Sequence, residues 1–224
     1  MTLVILSVLG AVVALDATSF GQLMLSRPLV AGTLAGAIVG MPREGALIGA
    51  LIEVLSLGIL PVGAARYPET GTAAVAAVGS MGLAGINAGP ELLLLVLAWG
   101  LIWQRLFGIT VVAERYLNER LVHAGEELTR NDLHDRIERW HLTSMSVDLL
   151  RGALMTAIAI IIGAPVLRLA VTASALPELA ATLGIGAAAA AVLMGTARVV
   201  GESRALLALL GAGAALGSLL LWVR

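Results

Sequence analysis

Two carboxylates in this 224-residue chain stand among apolar residues: Asp16, which follows the run Leu3–Leu15, and Glu53, inside IGALIEVLSLGIL. Inserting an ionisable group into membrane-type sequence costs about 2.5–3.5 kcal/mol, so each is a candidate for binding a ligand or carrying a proton. Gly45, Gly49 and Glu53 recur every four residues and share one helical face, the small-residue face by which helices approach closely. Glu53 is therefore directed toward protein, either as a binding group or as a structural carboxylate held by a nearby backbone or arginine. Asp16, Ser19 and Leu23 fall on one face if residues 3–26 form a single helix; the alternative is that Asp16 ends a helix. Gln22 adds an amide that both donates and accepts hydrogen bonds. Arg27 lies close enough in sequence to orient a carboxylate or cap a helix. Glu69 closes a proline- and glycine-broken segment, GILPVGAARYPETG, in which Arg66 is a candidate ion-pair partner for it.

The elements that must position these residues are helices in a membrane. The chain is 59% hydrophobic and 13% charged, against about 25% charged for soluble domains. Its apolar runs are continuous rather than alternating, which favours helices over a barrel. The expected fold is an all-α integral membrane protein, a polytopic bundle with short or re-entrant helices, forming one domain over residues 1–224. Residues 29–41 make a helix of only about 20 Å, short of a bilayer. Gly32, Gly36 and Gly40 leave one of its faces bare. The segment from Pro61 to Glu69 reads either as unwound backbone at membrane depth, as in transporter sites, or as a surface loop. Residues 91–112 read as a spanning helix whose Trp99 and Trp103 serve as interface anchors.

Glu114 to Arg151 holds 14 of the 29 charged residues and all three histidines. It reads as the main water-exposed segment. Within it, residues 113–145 form two amphipathic helices on the cytoplasmic side, where arginine is favoured, supported by i, i+4 pairs such as Asp135–Arg139. The histidines His123, His134 and His141 have no metal-site spacing and read as a solvated face. Three apolar segments follow, 145–171, 176–198 and 205–223; Arg168 is the exception to the positive-inside pattern. A net charge of −1 excludes a binder of nucleic acid driven by phosphate neutralisation. With neither cysteine nor lysine, thiol, iron–sulfur and Schiff-base chemistry are excluded. No cofactor is expected. The first apolar run has no basic flank and reads as a retained helix, not a signal peptide.

Taken in order, SRPLVAGTL, IGALIEVLSLGILPVGAARYPETG and HAGEELTRNDLHDRIERWHL give the chain, over residues 10–155, a resemblance to a known family. It resembles the membrane-embedded IIC subunit of mannose/fructose/sorbose-type sugar phosphotransferase systems. The resemblance implies a non-catalytic permease subunit, multi-pass in the bacterial inner membrane and surrounded by membrane lipid. Its implied partners are a second membrane subunit, IID, in an oligomer, and the cytoplasmic IIA and IIB subunits, which carry phosphate on histidines. A sugar would be bound in the membrane and phosphorylated by IIB as it emerges. Glu53 and Asp16 would accept hydrogen bonds from sugar hydroxyls, with Gln22, Glu69 and Arg27 completing the substrate site. Pro61, Arg66 and Glu69 depart from the family's pattern and leave the sugar unnamed. Two other classes fit the residues: an ion-coupled secondary transporter with Glu53 or Asp16 carrying a proton, and a non-transporting membrane scaffold or regulatory subunit.

Overall fold

A computed structural model gives the chain's structure, described for residues 1–57, 67–86, 90–123 and 130–173. These residues form six helices and no strand: α1 (Thr2–Thr18), α2 (Pro28–Val39), α3 (Pro42–Ser56), α4 (Thr70–Ala84), α5 (Pro90–His123) and α6 (Arg130–Ala173). The all-helical expectation holds in that form. Within α5 and α6, Leu92–Arg120 and Arg136–Thr172 are long and apolar enough to cross a membrane. Helices α2, α3 and α4 have 12, 15 and 15 residues, about 18–23 Å at 1.5 Å per residue, which is less than a hydrocarbon core of about 30 Å. The expected segments beyond residue 173, and the heart of the proline-broken segment at 58–66, lie outside the described residues.

The glycine spacing explains the tightest contact. Gly40 adopts a left-handed conformation (φ 80°) that ends α2, and Pro42 starts α3 at its first turn. The two helices thus fold back as an antiparallel hairpin with their glycine faces together. A methyl group added at Gly32 would stand 2.6 Å from the carbonyl oxygen of Gly45, and one at Gly36 would stand 2.5 Å from that of Met41. No side chain larger than hydrogen fits between these backbones. Helix α4 is at the centre of the described helices. Every residue from Gly71 to Met81 is buried, as expected for a helix apolar all round, and the other five helices all pack on it. Its alanines and glycines keep it thin enough for that.

Helix α6 buries Gly152, Thr156, Ala159, Ile160, Gly163 and Leu167 and turns Leu150, Leu154, Ile158, Ile161 and Leu169 outward. An outer face this apolar is suited to lipid and would be an aggregation-prone patch in water. Arg168 has a local purpose: its Nε and Nη2 donate to the Ala84 carbonyl at 3.0 and 2.8 Å. A cation at the C-terminus of α4 satisfies an otherwise unpaired carbonyl and the negative end of the helix dipole.

Three expectations are corrected here. Residues 3–26 are not one helix, since α1 stops at Thr18 and an irregular loop reaches Arg27. Trp103 is not an interface anchor: it is buried, in tilted contact with Trp99 and Phe107 at centroid distances of 5.8 and 5.9 Å. The amphipathic pieces of 113–145 are not separate helices either, because α5 and α6 run continuously from the apolar part into the charged part. An α-helix has no reason to stop where its environment changes from lipid to water when no breaker intervenes.

Candidate functional site

All five residues singled out in the sequence line one cavity of about 510 Å³: Asp16, Gln22, Arg27, Glu53 and Glu69. Its walls are the end of α1, the loop that follows it, the start of α2, the end of α3, and residues 67–72 leading into α4. The volume lies within the ~300–1,000 Å³ of small-molecule sites. Carboxylates, an amide and a guanidinium in one such cavity can bind a ligand rich in hydroxyls through charge-assisted hydrogen bonds.

Glu53 reaches the cavity because of the glycine hairpin. Gly49 lies against the backbone of Pro28 and Leu29, so one turn further along the same face Glu53 meets the start of α2. Its Oε2 accepts the Leu29 N–H at 3.0 Å and its Oε1 accepts from Arg27 Nη1 at 3.0 Å. A carboxylate at the N-terminus of α2 satisfies a backbone donor left unpaired there and meets the positive end of the helix dipole. Arg27 is half-exposed and Glu53 less so, and both remain open to a ligand.

Asp16 lies in the last turn of α1 and is buried. Its Oδ1 accepts the Leu23 N–H at 2.5 Å and its Oδ2 accepts the Ser26 N–H at 2.9 Å. These bonds hold a loop in which Gly21, Gln22 and Met24 all have positive φ, 94°, 50° and 63°. For residues with a side chain the left-handed conformation costs about 1–2 kcal/mol. Gln22 and Met24 both stand in the cavity wall, where the surroundings must over-determine the strained backbone.

Glu69 does not rest on Arg66, which lies outside the described residues. Its carboxylate is turned to Arg151 of α6, with Oε2 at 2.7 Å from Nη1 and Oε1 at 3.4 Å from Nη2. Arg151 also binds Glu114 of α5 through Nε at 3.0 Å, and Asp148 through Nη2 at 2.6 Å. A further bond goes to Thr110 Oγ1 at 3.1 Å. All four charged side chains are at most 8% exposed. Glu114, Asp148 and Arg151 are thus buried exceptions within a segment read as the main water-exposed one. Both ends of that segment point inward, while Arg136, Glu138 and Arg139 do face outward. The available signal was Arg151 followed by Gly152 and Thr156, a small-residue face continuing from a charge. The Glu69 segment is fixed on its other side by α5: its N–H donates to the Gln104 carbonyl at 3.0 Å, and Arg115 stacks on the Tyr67 ring at 5.3 Å.

Short helices surround this polar cavity, beside two helices long and apolar enough to cross a membrane. The comparisons give the family. A model of the family described as the PTS system sorbose-specific IIC component matches residues 1–200, and the chain belongs to that family. It is 28% identical over 141 residues to the sorbose-specific EIIC component of Lacticaseibacillus casei, covering 62% of this chain and 48% of the relative. To the mannose-specific EIIC component of Escherichia coli K12 it is 27% identical over 135 residues, 59% of this chain and 48% of that one. The fructose permease IIC component of Bacillus subtilis is 29% identical over 164 residues, 72% and 56% of the two chains. The chain thus spans about half the length of the curated relatives it matches. No solved structure matches it.

Proposed function

We propose that the chain is the sugar-translocating IIC subunit of a phosphoenolpyruvate-dependent phosphotransferase complex in a bacterial inner membrane. In this proposal it crosses the membrane several times, with short helices entering part way, and works with a IID membrane subunit. Cytoplasmic IIA and IIB subunits relay phosphate to the sugar. The observation that carries the proposal is the single cavity in which Asp16, Gln22, Arg27, Glu53 and Glu69 meet. Glu53 and Arg27 reach out from the α2–α3 hairpin to bind hydroxyls, Gln22 faces them from the strained loop, and Asp16 and Glu69 hold the walls. The substrates to test are the sugars in the relatives' names: sorbose, mannose and fructose.

One observation favours a second reading, that of an ion-coupled transporter. Around Arg151 three carboxylates face one guanidinium, an excess of negative charge that a transported proton would offset. One experiment separates the two. Sugar binding is measured by the purified chain with its membrane partner, and uptake is followed in cells. Binding in wild type that Glu53→Gln weakens at least about tenfold, with uptake that needs phosphoenolpyruvate and survives an uncoupler, supports the phosphotransferase reading. Unchanged binding in a properly inserted Glu53→Gln chain overturns the role of Glu53. Uptake that collapses with the uncoupler and ignores phosphoenolpyruvate selects the second reading.

A further inference from the structure

Helix α6 does not line the cavity, yet it holds two of its walls from behind. Asp148 Oδ2 accepts hydrogen bonds from Thr18 Oγ1 and, at 2.8 Å, from Ser19 Oγ, the two residues from which the strained loop departs. One turn away on the same helix, Arg151 holds Glu69, the N-cap of α4 and the opposite wall. The two halves are tied together, since Arg151 Nη2 lies 2.6 Å from Asp148 Oδ1. Asp148 is wholly buried and Arg151 nearly so, which leaves neither as a direct ligand of a molecule in the cavity.

We infer that Asp148 and Arg151 form a clamp that sets the width of the cavity, making them positioning residues for whatever binds there. The physical reason is the strength of buried, charge-assisted hydrogen bonds relative to what they restrain. The loop carries positive φ at Gln22 and Met24; Asp16 holds its far side at Leu23 and Ser26, and Asp148 holds its start at Thr18 and Ser19. Residues 67–69 have no helix of their own; α5 holds their backbone through the Gln104 carbonyl, and Arg151 holds the Glu69 side chain. Because one helix carries both anchors, a shift or rotation of α6 moves both walls together. The shape of the cavity and the position of α6 then become a single variable, which is what a binding site needs if it is to open to one side of a membrane at a time. The part of this inference that concerns affinity rests on the sugar-binding proposal; the clamp itself does not.

The chain contains no cysteine, so a pair of spin labels can be placed without background. Phe20→Cys beside the loop anchor and Thr70→Cys beside Glu69 report the distance between the walls in the full chain in phospholipid nanodiscs. The clamp predicts a narrow distance distribution that broadens in both Asp148→Asn and Arg151→Lys, the latter keeping the charge if Arg151→Met fails to fold. It also predicts sugar affinity weakened roughly tenfold. For affinity, Arg151→Lys should be non-additive with Glu69→Gln and additive with Glu53→Gln, whereas a merely structural arginine would lower the melting temperature without that pattern. An unchanged distance distribution in the two folded variants overturns the clamp. A distribution that broadens in a protein whose wild type binds none of the three sugars upholds the clamp and defeats the sugar proposal instead.

Discussion

The charged residues around the cavity divide by what their loss does to folding. Arg27 and Glu53 form an ion pair that is partly open, and pairs of that kind contribute about 0–1 kcal/mol. Removing the Glu53 charge therefore tests binding with little disturbance of the fold. Asp16 is different, because both oxygens accept backbone N–H groups and it is buried. An asparagine there turns an NH₂ toward one of two donors, leaving a buried N–H unpaired at about 1–3 kcal/mol. Asp16→Asn is expected to lower the melting temperature by several degrees and to weaken sugar binding as the Gln22 loop relaxes. A variant with wild-type stability and wild-type binding would remove Asp16 from the site. The Arg151 group is costlier still to disturb, since breaking a buried pair typically costs about 3–5 kcal/mol.

At the scale of the element, the α2–α3 hairpin is the part that carries Glu53 to its place. It depends on backbones meeting without side chains between them. A Cβ at Gly49 would lie 2.9 Å from the Leu29 Cα, where only backbone could move to accommodate it. Gly49→Val is expected to destabilise the chain by about 1–3 kcal/mol or more. It should also shift Glu53 away from the Leu29 N–H, so that binding falls even under conditions where the protein stays folded. Thermal unfolding and sugar binding of the same preparation check this. If the variant is as stable as wild type, the close packing of the hairpin is not what sets the position of Glu53. The short length of α2 and the spacing of its glycines were legible in the sequence, because both follow from the covalent chain and the helical repeat. The partner of Glu69 was not. Arg66 is three residues away and Arg151 is 82 residues away, and no local rule favours the distant one.

For the whole molecule, the long helices decide the geometry relative to a bilayer. Helix α5 has 34 residues and α6 has 44, about 51 and 66 Å, against a hydrocarbon core of about 30 Å. In the proposed membrane orientation the C-terminal end of α5 and the N-terminal end of α6 extend past that core into water. In that orientation the water is the cytoplasm, where the proposed phosphate-carrying subunits would act. A single cysteine at Glu119, introduced into the otherwise cysteine-free chain, is expected to react with a membrane-impermeant maleimide in inverted vesicles and to stay protected in intact cells. Labelling from outside intact cells would reverse the orientation.

Sequence by itself determined the properties that depend on local chain chemistry. Composition and unbroken apolar runs marked a helical membrane-type protein; glycine spacing set a bare face; the same spacing put Glu53 on that face. It also singled out Asp16, Gln22, Arg27, Glu53 and Glu69, because polar groups in apolar surroundings are visible one residue at a time. Only the tertiary structure decided that these five share one cavity, since that requires the ends of α1 and α3, the start of α2 and the entry to α4 to converge. It alone also turned Glu114, Asp148 and Arg151 inward from a segment whose charge density reads as water-exposed. Burial is a property of what packs against a residue, and for Arg151 those neighbours are Glu69, just before α4, and Thr110 and Glu114 of α5.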